Sequence, residues 1–430
     1  MKQIALTFLL LCCCLWANAQ DTLKISRKEA EAVFLQHNFL LIAEKLNIER
    51  QKAELIQAKL WPNPQFSISE VNLWATDRQT GGETVSPPFW NNVGKNQQLA
   101  FELNQLIQTA GKRRKLVALE QLDVSKSEQY FKELLRTLKL ELRHLLADLQ
   151  YNQASINLCH HLIDNLSKLL NAFRNQVDQG HIAEADFIRL RARNLEIQKQ
   201  LLDLTGEAAE IQKDLQQLLR LDVHQYVWLT DYIPSTANNL DSPPPLPKLI
   251  EEAGNQRPDL LLARMEKEYA AKLLSYENAH RYPDLTLGVN YDRNGNTMLD
   301  FVGFGVSLDL PLFNRNRGNI QKARIQQDQA NLAVQQKELG VAQEIAYSYT
   351  LLTEAIRFYE SIEPDFDDSL DELLERYTKN FAARNISLLE YLDYLEAYRS
   401  NKTIILDATR DIALKTERLN YYLGDDLINR

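Results

Sequence analysis

Apolar positions along this chain follow two periods, and the switches between them lay out its elements. From Leu285 every second residue is apolar (Leu285, Leu287, Val289, Tyr291), with Thr286, Gly288, Asn290 and Asp292 between them. After the turn-forming DRNGNT the alternation returns as Val302, Phe304, Val306, Leu308 and Leu310, interleaved with Gly303, Gly305, Ser307 and Asp309. Period two on both sides of an Asn-Gly turn predicts an antiparallel hairpin with one apolar face and one small or polar face. Pro311, which has no N–H for a ladder, ends it. An earlier stretch repeats the pattern less cleanly. Phe66 and Ile68, then Val71 and Leu73, change phase near Ser69-Glu70, as a bulge would require. Leu99, Phe101 and Leu103 return after the exposed loop TDRQTGGETVSPPFWNN. The expected strands are 64–74, 95–104, 284–292 and 301–310.

Elsewhere the period is helical. Residues 22–60 read as a helix stopped by the prolines of WPNP. From Lys112 to Gln179 there is neither Gly nor Pro, and at 1.5 Å per residue that run makes a helix of ~100 Å. Such a length calls for a coiled coil or an extended bundle. Beyond Gly180, Phe187, Leu190, Asn194, Ile197, Leu201, Leu204, Ala208, Ile211, Leu215 and Leu218 step by threes and fours. This is a coiled-coil seam with Asn194 as its one polar member. Tyr391, Tyr394, Tyr398, Asn401, Ile405, Ala408, Ile412, Lys415, Leu419 and Tyr422 form a second, more polar seam. Pro364 predicts a kink or break between the hairpin and this seam.

The landmarks occur twice in the same order. Asn38-Phe39-Leu40-Leu41 lies 219 residues before Arg257-Pro258-Asp259-Leu260, Gly111-Lys112 lies 207 before Gly318-Asn319, and Asp186 lies 204 before Glu390. Each half reads helix, hairpin, long helix, turn, helix. The expected divisions are 20–221 (hairpin 64–104), a proline-rich linker at 222–255 around DSPPPLP, and 256–430 (hairpin 283–310).

Residues 1–19 carry one basic residue, an apolar run from Ile4 to Trp16, and Ala17-Asn18-Ala19, the pattern of a cleaved export signal. The residues before Cys12, Cys13 and Cys14 are not the small ones lipidation needs, and only Cys159 lies beyond the signal. No segment is long and apolar enough for a membrane helix, whereas strands of about 10 residues suit a tilted crossing of a bilayer. For the hairpin alone, a soluble sheet with one buried face is the competing reading. A net charge of −9 argues against a nucleic-acid partner. There is no nucleophile elbow, phosphate loop or zinc-protease helix motif, so neither enzyme activity nor a cofactor is expected. The adjacent His160 and His161 point in different directions on a helix, and a solvated face explains them better than a metal site.

The segment LDLPLFNRNRGNIQKARIQ carries a family resemblance, together with Arg257-Pro258-Asp259-Leu260, Tyr282-Pro283-Asp284, Pro364 and Ile386-Ser387-Leu388-Leu389-Glu390. With the export signal and the duplication, these make the chain similar to the TolC-like outer-membrane efflux proteins. Gly111-Lys112-Arg113-Arg114 resembles the heavy-metal (cobalt, zinc, cadmium) branch. The resemblance implies a mostly α fold with a membrane β part, in which four strands per protomer join a 12-stranded trimeric barrel. Strand number points the same way. Four strands cannot close and eight would fill their own lumen, whereas twelve leave an aqueous pore. Also implied are a homotrimeric passive duct for small molecules or metal ions and a place in the outer membrane with a long periplasmic portion. A periplasmic adaptor and an inner-membrane pump of the RND type would be its partners. Leu285, Leu287, Phe304 and Leu308 would face lipid, and Gly303 and Ser307 the lumen. The turns at Gly180–Asp186 and Arg384–Glu390 would form the periplasmic end. Glu390, Asp393 and, by the repeat, Asp186 are the gate candidates, with ordinary solvated helix-tip acids as the competing reading. Arg384 stands where the family often has Gly. A secreted or periplasmic coiled-coil scaffold without a pore is the alternative function.

Overall fold

The structure, a computed structural model, describes residues 21–72, 78, 81, 98–179, 183–231, 243–293, 298 and 300–426. The export signal, most of both hairpin loops, Gly180–Ile182 and residues 232–242 lie outside the described residues.

In chain order the elements are β1 (Asp21–Ile25), α1 (Arg27–His37), α2 (Phe39–Lys59), β2 (Gln65–Asn72), β3 (Gln98–Ile107), α3 (Lys112–Asp178), α4 (Glu184–Leu219) and β4 (Gln225–Leu229). They continue with α5 (Leu246–Gln256), α6 (Pro258–Ala279), β5 (Leu285–Arg293), β6 (Phe301–Leu308), α7 (Arg317–Glu360), α8 (Phe366–Ala382) and α9 (Leu388–Leu423). The uninterrupted α3 follows from the run without Gly or Pro, and Pro364 falls in the break between α7 and α8.

Two expectations are corrected. Residues 22–60 are not one helix. Their first residues form β1, which pairs in parallel with β4, Asp21 opposite Gln225, and Asn38 then divides α1 from α2. The stretch 222–255 is not only a linker, because it contains β4 and all but the last residue of α5. The end of DSPPPLP starts this helix, with Pro245 at the N-cap of α5 and Pro247 in its first turn.

The chain separates into two compact units. One comprises Leu46–Gln129 and Leu262–Lys337 and holds the four-stranded sheet, in the order β2-β3-β5-β6 with every neighbour antiparallel. The ladder between β2 and β3 slips between Ser69 and Asn72, where the change of phase predicted a bulge.

The other unit takes in the residues up to Lys45, Tyr130–Leu261 and everything from Glu338. Both predicted seams are buried or half-buried along their whole length, from Phe187 to Leu218 on α4 and from Tyr391 to Tyr422 on α9. Around them lies an apolar core in which Leu162, Leu166, Leu190, Ile197, Leu374, Tyr391 and Leu395 pack together. Burying side chains of this size contributes ~1.5–3 kcal/mol each. A second cluster joins β1, α1 and β4 to the middle of α3. At its edge the buried Arg143 binds Glu31, Glu417 and Asp426, which ties α1 and the chain's C-terminal segment to α3.

The duplication survives here as a hydrogen bond. Asn38 accepts from the N–H groups of Leu40 and Leu41, capping α2, and its Nδ2 donates to the Leu218 carbonyl at 3.1 Å. At the repeat-equivalent position the fully buried Arg257 pairs with Asp259 at 2.6 Å and Glu344 at 2.7 Å, and donates to the Tyr422 carbonyl at 3.3 Å. Leu218 and Tyr422 are themselves 204 residues apart. Just beyond each carbonyl the helix ends in a left-handed residue, Arg220 at φ 55° and Gly424 at φ 88°. A Cβ on Gly424 would lie 3.0 Å from Arg257 Cα, so the second junction has room only for glycine.

Candidate functional site

The sheet has two chemically distinct faces, and strand register creates them. Phe66, Leu103, Val289 and Phe304 form one row across all four strands, and Ile68, Phe101, Tyr291 and Val302 form the next. Phe66, Phe101 and Tyr291 stack along this face with ring centroids 6.1 and 6.2 Å apart. Leu285, Leu287 and Leu308 extend it, so all four residues expected to face lipid share one side. The opposite face carries rows such as Ser67, Glu102, Asn290 and Gly303, then Gln65, Asn104, Gly288 and Gly305. Leu106 and Phe301 are the exceptions among these small and polar groups. The apolar face is bare, with Phe304 85%, Val306 66% and Phe66 61% exposed. A soluble sheet would bury that face; this one presents a continuous apolar surface bounded by two open edges, β2 and β6. The aromatic stack was not foreseen, because its members come from three strands and only the register brings them together.

The second feature is the pair of turns that begin α4 and α9. At α9 the sequence Ser387-Leu388-Leu389-Glu390 forms a capping box. The Ser387 N–H and hydroxyl donate to Glu390 Oε2 at 2.7 and 2.8 Å, and the Glu390 N–H donates back to Ser387 Oγ at 3.3 Å. These bonds hold the exposed Glu390 carboxyl below the usual carboxylate range, the backbone N–H being the larger cause. The S-x-x-E spacing already carried this signal. Asp393, one turn on, is exposed. Asp186 takes the same third position in α4, but Ala183 stands at the N-cap and supplies no side-chain bond. Asp186 instead lies 4.0 Å from Arg189.

The two turns meet. Phe173, Ala183, Asp186, Phe381, Arg384, Ile386, Ser387 and Leu388 line one cavity of about 270 Å³. Beneath it Phe173 packs edge-on to Phe381, which stacks on Tyr391. Arg384 has the left-handed φ of 64° that a glycine would favour, and its guanidinium donates to Gln176 Oε1 at 2.6 Å. Asp186 and Glu390 are thus brought to neighbouring turns, while no direct contact joins them among the described residues. His160 and His161 are both exposed on α3, with His161 beside Asn165.

Known proteins place this arrangement. The family model described as "Outer membrane efflux protein" matches residues 249–425. Over that stretch the chain matches the outer membrane efflux protein family. It is 21% identical over 368 residues to the cobalt-zinc-cadmium resistance protein CzcC of Cupriavidus metallidurans, covering 84% of this chain and 80% of that one. The solved structure of the Campylobacter jejuni CmeC outer membrane channel matches with a TM-score of 0.73 and 14% identity, over 93% of this chain and 86% of that one. The Neisseria gonorrhoeae MtrE channel, solved in its open state, matches with a TM-score of 0.69 and 15% identity, over 94% and 89%. At these identities the structural likeness establishes the fold of an outer membrane efflux protein, mostly helical with a small sheet.

Proposed function

We propose that this chain is the outer-membrane duct of a tripartite efflux system, a passive homotrimeric channel without catalytic activity. The observation that carries the reading is the bare apolar sheet face between two free edges. In lipid an open edge would leave unpaired N–H and C=O groups, each costing several kcal/mol. β2 and β6 are both 8 residues long, and β6 of one copy beside β2 of the next continues the antiparallel alternation. Three copies close the ring at twelve strands and leave an aqueous lumen lined by the Ser, Asn, Gln and Gly face.

The duct would stand in the outer membrane with a long periplasmic portion and work with a periplasmic adaptor and an RND-type pump. Its cargo is small solutes or metal ions, and the likeness to CzcC favours divalent cations. Deleting the gene should then sensitise cells to cobalt, zinc or cadmium, and unchanged tolerance to all three would count against that cargo. Glu390 and Asp393 form carboxylate rings at the periplasmic aperture under threefold symmetry, with Asp186 on the adjoining turn.

The central test is assembly and location. The protein should fractionate with outer membranes, resist carbonate extraction, and give a trimer mass by light scattering in detergent. A natively helical monomer that washes off in carbonate would instead establish a scaffold without a pore.

A further inference from the structure

Charge is unevenly shared between the two ends of the sheet. Leu285 pairs with Ile107 on one side and Leu308 on the other, and Gln65 begins β2 opposite Asn104. The four helix–strand junctions therefore gather at one end, as the segments 59–64, 108–115, 280–284 and 309–317. Their acids are Asp284 and Asp309, and the buried Lys112 already pairs with Asp284 at 2.8 Å. Against them stand Lys59, Arg113, Arg114 and Lys115, then Arg281, Arg315 and Arg317. The segments that join β2 to β3 and β5 to β6 carry Arg78 and Lys95 against Asp77, Glu83 and Asp300. In a chain of net charge −9, the basic excess is local to the junctions.

Local contacts take up some of these cations and leave the rest free. Arg113 donates to the Lys59 carbonyl at 2.7 Å and lies 4.1 Å over the Trp61 ring, and Lys115 donates to the Ser275 carbonyl at 3.1 Å. Lys59, Arg114, Arg281, Arg315 and Arg317 are exposed, and none of them forms an ion pair among the described residues. The same segments expose apolar side chains. Trp61 is 61%, Tyr282 62% and Leu312 63% exposed, and Phe313 is fully so. Free cations among exposed aromatic rings are the composition of a membrane–water boundary, where rings sit at headgroup level and Lys or Arg reaches phosphate.

We infer that the junction end of the sheet docks on anionic phospholipid headgroups. Arg114, Arg281, Arg315 and Arg317 supply the cations for lipid phosphates, and Trp61, Tyr282 and Phe313 lie at the acyl boundary. The surface continues the bare apolar sheet face, so one lipid leaflet meets both. Each cation beside an anionic lipid surface is worth about fivefold in partitioning, and the opposite end of the sheet has no comparable excess to offer. This rests on the outer-membrane placement proposed above.

Lipid selection tests it in the full-length protein. Reconstitution in vesicles of phosphatidylcholine and phosphatidylglycerol in equal parts is followed by mild detergent extraction, and retained lipid is quantified by mass spectrometry. The unaltered protein should retain about fivefold more phosphatidylglycerol than phosphatidylcholine. Arg114→Gln, Arg281→Gln, Arg315→Gln and Arg317→Gln together should abolish that excess, and Lys at the same four positions should keep it. Arg78→Gln with Lys95→Gln should leave it unchanged. Inserted protein with no phosphatidylglycerol excess, or an excess that survives the four glutamines, would overturn the docking and leave the membrane placement standing. An equal loss from the Arg78 and Lys95 pair would overturn it too. Protein that enters no vesicle of either lipid would overturn both. Replacing chloride by inorganic phosphate at equal ionic strength should leave the excess intact; its loss would identify a free-anion site and refute a lipid surface.

Discussion

Glu390 shows how one carboxylate can serve two roles, and its test has to separate them. Alanine there would remove both a charge and half of a capping box, a loss of ~1 kcal/mol from the helix start. Glu390→Gln with Asp393→Asn keeps the acceptor and removes only charge. That pair should weaken divalent-cation block in planar bilayers, and unchanged block would place the aperture elsewhere. Arg384 offers a second residue-level prediction. A left-handed conformation costs an L-residue ~1–2 kcal/mol, so Arg384→Gly should be more stable than Arg384→Ala by about 1 kcal/mol in urea unfolding. Both variants lose the Gln176 bond, which leaves backbone strain as the main difference between them. Asp426 gives the pH dependence. Arg143 foremost, with Lys139, holds its carboxyl down to about 2 from an ordinary 3.8. A carboxylate depressed on folding contributes its full stabilisation above the unfolded value and loses it as pH falls through the folded one. Stability should therefore decline between about pH 4 and pH 2. Allowing for its partial exposure, Asp426→Asn should remove ~1 kcal/mol at neutral pH and flatten that acid limb. An unchanged limb would assign the acid sensitivity to other carboxylates.

Elements whose partners are close in sequence were legible, and those with distant partners were not. The hairpins announced themselves through period two and turn residues, and the seams of α4 and α9 through repeated heptads, because both signals are local. β1 and β4 are five residues each, too short to show a period, and their parallel pairing joins segments 204 residues apart with no turn between them. Asn38 reads in the sequence as a landmark and not as a helix break, although its caps to Leu40 and Leu41 are local; what the sequence hid is the Leu218 carbonyl that anchors its amide. Asp186 and Glu390, which the repeat pairs, each fall third in their helix, and only the fold shows that their turns share a cavity. Asn194 supplies the prediction at this scale. It is buried in the α4 seam, and its Oδ1 has no partner among the described residues. A lone buried amide in a seam fixes register at a cost in stability. Asn194→Ile should raise unfolding stability by ~1–2 kcal/mol. A loss of stability would mean that the amide is satisfied by bound water.

For the whole molecule, the decisive experiment distinguishes the two sheet faces. Phe304→Arg should cost ~2–4 kcal/mol if the side chain lies near the bilayer midplane, read as failure to assemble in the outer membrane. The control on the other face is Ser307→Arg, because a Cβ on Gly303 would already lie 2.3 Å from Asn290 Oδ1. Equal tolerance at 304 and 307 would refute the assignment of faces. The junction bonds have a consequence at this scale too. Asn38 and Arg257 differ in size, charge and hydrogen-bond repertoire, yet each sends a donor to the corresponding carbonyl of its own half. What the two halves share here is therefore an acceptor met by a donor, while the residue that supplies the donor differs. Alignment by residue type scores that position as a mismatch, and comparison by bonded partner recovers it.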